Sequence, residues 1–125
     1  MATTTGRTPQ EVFKHHAEVL AAGDLEGIVS DYAEDAVFIS EDGVLRGKDG
    51  VREAFSKVLA DLPHARWSIH TRILEGDVLF LEWTADLPAS RAEHGVETFV
   101  FRDGAIAVQT VHYTLRPSET TGEVR

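Results

Sequence analysis

The sequence predicts an α+β fold, with helices in the first half and a sheet built from the second. Two observations carry this. Up to Leu62 the apolar residues recur at helical spacing in three segments, broken by one short hairpin; from His64 onward they alternate with period two. Turn-forming residues then cut the second half into strands: Glu75-Gly76-Asp77, Pro88-Ala89-Ser90 and Asp103-Gly104. Helices first and antiparallel strands after is a segregated layout, and consecutive strands of this length usually lie side by side. A strongly curved sheet wrapped around three helices would enclose a pocket between the layers.

Residues 1–8 read as a flexible tail, closed by Thr8 as the cap of the first helix. Pro9 takes its first position and Glu11 lies three residues after the cap, a capping-box arrangement. The apolar stripe is Val12, Phe13, His16, Val19 and Leu20, and Gly23 ends it. Asp24 caps a short second helix with the stripe Leu25, Ile28, Val29 and Tyr32. "AVFIS" (36–40) alternates as a strand and turns through "EDG" into a short return at Val44–Arg46. Gly47 opens a third helix facing inward with Val51, Phe55, Val58, Leu59 and Leu62, and Pro63 closes it. Strands follow over about 65–75, 78–87, 93–102 and 105–115, and residues 116–125 have a tail's composition.

At 125 residues the chain suffices for one core, so 9–115 form a single domain. Twelve Lys and Arg against 21 Asp and Glu give a net charge of −9, which disfavours nucleic acid and anionic lipid as partners. The absence of cysteine excludes disulfides, thiolate metal sites and a cysteine nucleophile. No apolar run is long enough to span a bilayer, and the polar start "MATTTGRTPQ" lacks a secretory segment, so a cytoplasmic protein is expected.

The stretches "AGDLEGIVSDYAEDAVFI", "GKDGVREAF" and "ETFVFRDGAIAVQTVHYT" together resemble the NTF2-like superfamily, nearest to the SnoaL-like polyketide cyclases and the ketosteroid isomerases. The resemblance spans roughly residues 9–115. It implies a cone-shaped α+β barrel, three helices packed in a curved antiparallel or mixed sheet, with a deep apolar cavity and often a dimer through the outer sheet face. At the ketosteroid isomerase positions it implies Ser40 in place of the basic Asp, His16 in place of the polarising Tyr, and Glu97 in place of the protonated Asp. Tyr32 retains the supporting Tyr, and Tyr113 matches a cavity Trp. The SnoaL-like base position falls on Val111, with Gln109 just before it. Neither family's base is present, so the shape is shared and the reaction is not thereby implied.

The residues themselves point to the same region. His16 interrupts the apolar stripe of the first helix, and Tyr32 closes that of the second. Glu97 shares a strand face with Phe99 and Phe101. A carboxylate taken out of water has its pKa raised, and beside an imidazole it can form an ion pair or share a proton. His16, Glu97 and Tyr32 are therefore the candidate catalytic set, in the usual setting for acid–base chemistry. The bland alternatives are a satisfied core histidine, a packed tyrosine, and an edge register in which Glu97 meets solvent. Phe38, Ser40, Phe55, Leu81, Trp83, Phe99, Gln109 and either Tyr113 or His112 are the candidate substrate contacts. Trp83 offers a flat surface to a ring, or is an ordinary core residue. His15 and His16 diverge by about 100° and cannot chelate together, so no metal is expected, nor any cofactor. His70 and Arg72 share a face with Arg66 and Ser68, most simply a solvated or interfacial one.

The last hairpin decides between Tyr113 and His112. A two-residue turn at Asp103-Gly104 puts Glu97 opposite Thr110 with His112 on its face. A three-residue loop with Gly104 as the bulge puts Glu97 opposite Gln109, with Val111 and Tyr113 on its face. The resemblance favours the second. The function expected is acid–base isomerisation, cyclisation or dehydration of a small hydrophobic organic substrate, polyketide- or steroid-like, by an isomerase or lyase. The competing expectation is a non-catalytic binding or dimerisation domain. Val78, Phe80, Glu82, Thr84 and Asp86 with Val96, Thr98 and Val100 form the outer face expected to carry a homodimer contact.

Overall fold

A computed structural model describes residues 6–117 of the chain. In chain order the elements are α1 (Pro9–Ala22), α2 (Leu25–Ser30), β1 (Tyr32–Ser40), β2 (Gly43–Arg46), α3 (Gly47–Asp61), β3 (Arg66–Glu75), β4 (Val78–Asp86), β5 (Ser90–Arg102) and β6 (Ala105–Pro117). The strands form one sheet in the order β2-β1-β6-β5-β4-β3. It is mixed, because β1 pairs parallel to β6 while the other neighbours pair antiparallel. The sheet curves around the helices but does not close, and β2 and β3 are its edges.

The local signals act as their chemistry requires. Thr8 Oγ1 accepts from the Glu11 backbone N–H at 3.1 Å, and the Glu11 carboxylate accepts from the Thr8 N–H at 2.8 Å. Two orphan donors of α1 are thereby satisfied reciprocally. Gly23 ends α1 in the left-handed region at φ 70°, and the Asp24 side chain caps α2 by accepting from Gly27 N–H at 2.9 Å. α1 buries Val12 and His16, and α3 buries Val51, Ala54 and Phe55. Against them stand Leu79, Leu81, Trp83, Phe99 and Ile106 of the sheet, so the core lies between the helices and the concave face.

The N-terminal tail expected over residues 1–8 includes a fixed point. Arg7 donates to Asp31 Oδ1 and to the Gly104 carbonyl, both at 2.9 Å. Asp31 is fully buried, its carboxylate also meets His15 Nδ1 at 2.7 Å, and its carbonyl accepts from Ile106 N–H at 2.8 Å. One acid thus ties Arg7, α1, the end of α2 and the last hairpin together. At the other end β6 continues to Pro117, paired with Ser90. Residues 1–5 and 118–125, the remainder of the two expected tails, lie outside the described residues.

Three local readings are corrected. Tyr32 opens β1 and does not close α2; the strand starts four residues before Ala36 and holds the exposed Glu34 and Asp35, beside an irregular register between Tyr32 and Val37. Those carboxylates disguised it. The last hairpin is the two-residue turn, with Asp103 at φ 53°, Gly104 at φ 76° and Arg102 paired to Ala105. Yet Phe101 pairs with Ile106 and Val100 with Val108, so β6 carries one extra residue at Ala107. That bulge restores the other parity: Glu97 lies opposite Val111, and Tyr113 shares its face while His112 does not. Finally, a bulge between Ile69 and Thr71 moves Arg72 from the face of Arg66 and Ser68 to that of its partner Leu81, where the side chain stays exposed and its guanidinium lies 5.3 Å over the Phe13 ring.

Gly95 pairs with Trp83, and a Cβ there would stand 2.4 Å from the indole Cδ2. Replacing Gly95 by Ala must therefore push the indole aside. We expect Gly95→Ala to lower unfolding stability by about 1–3 kcal/mol in urea titrations, with an altered tryptophan emission spectrum. A wild-type midpoint would mean that the indole does not lie on this backbone.

Candidate functional site

Glu97 stands in the middle of β5 between Leu81 of β4 and Val111 of β6. Its carboxylate accepts from Gln109 Nε2 at 3.0 Å, and Gln109 Oε1 in turn accepts from the Tyr32 hydroxyl. Gln109 and Tyr32 are both 2% exposed. Three polar side chains from β5, β6 and β1 thus form one line within an aromatic surround. Burial pushes the Glu97 carboxyl up to about 7, and the Gln109 amide only partly opposes this by stabilising the anion. The Tyr32 hydroxyl is held well above its ordinary value, first by burial and then by the charges of Glu97 and Asp31. It is a donor in this line and not an acid.

His16 enters the same region from α1. Its ring stands edge-on to Phe99, Phe55 and Tyr32 at centroid distances of 5.4, 5.7 and 5.9 Å. Burial lowers its pKa to about 4, against a raising influence of Asp31, and the imidazole is neutral at physiological pH. Nδ1 is buried with no hydrogen-bond partner, as is Trp83 Nε1. The ion pair or shared proton expected between His16 and Glu97 is not formed: the carboxylate bonds Gln109 instead, and an imidazole in this aromatic cage has no means of holding charge.

The hollow has two parts. An inner recess of about 20 Å³, room for one water, is lined by His16, Phe55, Trp83, Glu97, Gln109 and Tyr113 among others. An outer cleft of about 570 Å³ lies between the β1–β2 turn, α3 and the end of β6. Phe38, Val58, Val111 and Tyr113 border both and form the wall between them. Tyr113 is pinned in that wall by donating to Asp61 Oδ2 at 3.1 Å. Burial, and then the Asp61 carboxylate, raise its hydroxyl pKa.

The expected site residues therefore separate. His16, Phe38, Phe55, Trp83, Glu97, Gln109 and Tyr113 converge on the recess. Tyr32 does not line it but stands behind, against the His16 ring and hydrogen-bonded to Gln109, whose two amide ends are both taken by the protein. Ser40 and His112 border the outer cleft, with His112 Nδ1 2.7 Å from Glu41. Leu81 and Phe99 are closed into the core and border neither hollow. Sequence reasoning missed the outer cleft's charged rim. Glu53, Lys57 and Asp61 recur every four residues along α3, beside the apolar stripe, and that spacing was the available signal. Among the described residues no three His, Asp or Glu side chains converge as a metal site.

Residues 13–109 match the model of the SnoaL-like domain. The chain belongs to the SnoaL-like family. Solved structures of the same NTF2-like fold include an NTF2-like protein of unknown function from Burkholderia xenovorans (17% identity, 94% of this chain and 92% of that chain covered, TM-score 0.70). A SnoaL-like protein of unknown function from Burkholderia thailandensis shares 22% identity over 85% of this chain and 94% of that one, with TM-score 0.67. IdmH from Streptomyces antibioticus, a proposed polyketide cyclase, shares 17% over 86% and 92%, with TM-score 0.65. No curated protein matches.

In this SnoaL-like protein two inward-facing titrating groups, buried His16 and half-buried Glu97, pull stability in opposite directions. Between the ordinary 4.5 and about 7 the folded state keeps a proton on Glu97 that the unfolded chain loses, so its contribution falls as pH rises. Between about 4 and 6.5 the unfolded chain protonates His16 while the folded state does not, so that contribution falls as pH drops. Glu97→Gln should therefore be more stable than wild type at pH about 8, with the difference closing near pH about 5, in paired urea titrations. An identical offset at both pH values would mean that Glu97 titrates as an exposed carboxylate does.

Proposed function

We propose that this SnoaL-like protein is a cofactor-independent acid–base enzyme acting on a small, mainly apolar organic molecule of polyketide- or steroid-like shape. The observation that carries the reading is Glu97: a carboxyl poised near neutrality, bordering a recess that adjoins a ligand-sized cleft. A general base works best with its pKa near the working pH. Glu97 would take a proton from a carbon next to a carbonyl and return it elsewhere, giving isomerisation, cyclisation or dehydration. Gln109 and Tyr32 would hold the carboxylate's orientation, so Gln109 moves from substrate contact to positioning residue. Neutral His16 would present a second polar edge to the recess, and Phe38, Ser40, Phe55, Trp83 and Tyr113 would shape the binding space. The recess holds only one water, so the reacting carbon would reach Glu97 only if the side chains of the shared wall moved apart.

The fold and the family support this only at the level of shape, since IdmH alone among the neighbours named above carries a proposed reaction. The small recess, filled by Phe38, Phe55 and Trp83, favours a second reading: a non-catalytic domain that binds its ligand in the outer cleft. In either reading a homodimer would use the outer sheet face, where Ile39, Ile73 and Val78 are exposed, in the cytoplasm.

The deciding experiment is turnover of a panel of polycyclic ketones by wild type, Glu97→Gln and Tyr32→Phe across pH. We expect the wild-type rate to rise through pH about 7, and Glu97→Gln to lose about 10²–10⁴-fold. Tyr32→Phe should lose less and move the midpoint of the profile. A Glu97→Gln variant with wild-type rates would remove Glu97 from the chemistry and leave the binding reading.

A further inference from the structure

We infer that the ligand of the outer cleft is an amphipathic organic cation, an amine whose apolar part covers the cleft floor and whose ammonium meets the rim. The inference rests on taking that cleft as the substrate site. Its floor is apolar, formed by Phe38, Leu45, Ala54, Val58, Val111 and Leu115. Its rim carries four carboxylates, Glu41, Asp42, Glu53 and Asp61, against one ammonium, Lys57. Lys57 is already committed, 2.9 Å from Asp61 and 4.0 Å from Asp42. Glu53 has no ion pair among the described residues, and Glu41 has only His112 at 2.7 Å.

The negative field reaches the wall itself. Asp61, Asp42 and Glu41 all add to burial in opposing ionisation of the Tyr113 hydroxyl. Behind that wall, no Lys or Arg borders the recess. Its buried polar groups, His16 Nδ1 and Trp83 Nε1, are unpartnered and neutral. A carboxylate or phosphate ligand would thus enter a space with acids around it and no free counter-charge. An ammonium would replace lost hydration with charged acceptors on two elements, Glu53 and Asp61 of α3 and Glu41 and Asp42 of the β1–β2 turn. The chemistry favours it too. Proton removal by Glu97 leaves negative charge on the substrate, which this field opposes and a cation within the same molecule offsets.

The test is calorimetric binding of three matched probes, 2-naphthylmethylammonium, 2-naphthylmethanol and 2-naphthoate, at neutral pH in low and high salt. We expect the ammonium to bind about tenfold tighter than the alcohol, the carboxylate weakest, and the preference to shrink in salt. The exposed rim double variant Asp42→Asn/Glu53→Gln should bring ammonium and alcohol within about twofold, while Glu97→Gln keeps the preference. Equal binding of all three, or tightest binding of the carboxylate, would overturn the inference and leave the cleft as a binding site. Binding of none would overturn the substrate-site reading along with it.

Discussion

Everything about the candidate site of this molecule follows from one placement: the Glu97 carboxyl faces the helices from an aromatic concave surface, with a neutral amide as its hydrogen-bond donor. Even a half-buried carboxyl on such a surface is costly to leave unpaired, and an amide donor satisfies it without neutralising its charge. Gln109 is itself buried, and its oxygen needs a donor of its own, which Tyr32 provides from the neighbouring parallel strand. The line crosses three strands whose registers must agree. The extra residue at Ala107 makes them agree, because without it Gln109 and Tyr113 would point outward.

Asp31 is fully buried and Glu97 half-buried on the concave face, and the contrast between them separates a structural acid from the candidate reactive one. Asp31 has a guanidinium and an imidazole on its carboxylate and a backbone N–H on its carbonyl. Its negative charge is compensated at once, and it fastens Arg7, near the first described residue, to the last hairpin. Glu97 has only an amide dipole, so its charge stays expensive and its proton exchangeable near neutrality. His16 lies between the two acids and is kept neutral by its aromatic neighbours. The outer cleft adds a third setting, in which carboxylates are solvated, numerous and turned toward a ligand-sized space.

Much of this was legible before any coordinates. The capping box at Thr8 and Glu11, the glycine stop at Gly23 and the change of period at His64 are local signals, and local chemistry decides them. The inward orientation of Glu97 followed from its alternation with Phe99 and Phe101. What stayed hidden depends on one-residue events that periodicity cannot register. The bulge in β3 reversed Arg72, and the bulge in β6 offset the turn type, so that the favoured side chain, Tyr113, was reached by a different route. Glu34 and Asp35 masked the start of β1 because an irregular stretch tolerates exposed acids within a strand. Asp31 gave no signal at all, since its partners Arg7 and His15 are near neither it nor each other in a way that spacing marks. The rim of the cleft was visible as the Glu53, Lys57 and Asp61 stripe, but a charged stripe beside an apolar one ordinarily means only solvent.

The account turns on the ionisation of one side chain, and that can be observed site by site. Carbon-detected NMR of the side-chain carboxyls, with Glu97 assigned by the loss of its signal in Glu97→Gln, would follow its titration directly. The account requires a midpoint near 7, well above the ordinary glutamate value. A midpoint at the ordinary value of 4.5 would show the carboxyl in free contact with water, and the acid–base reading built on it would fall.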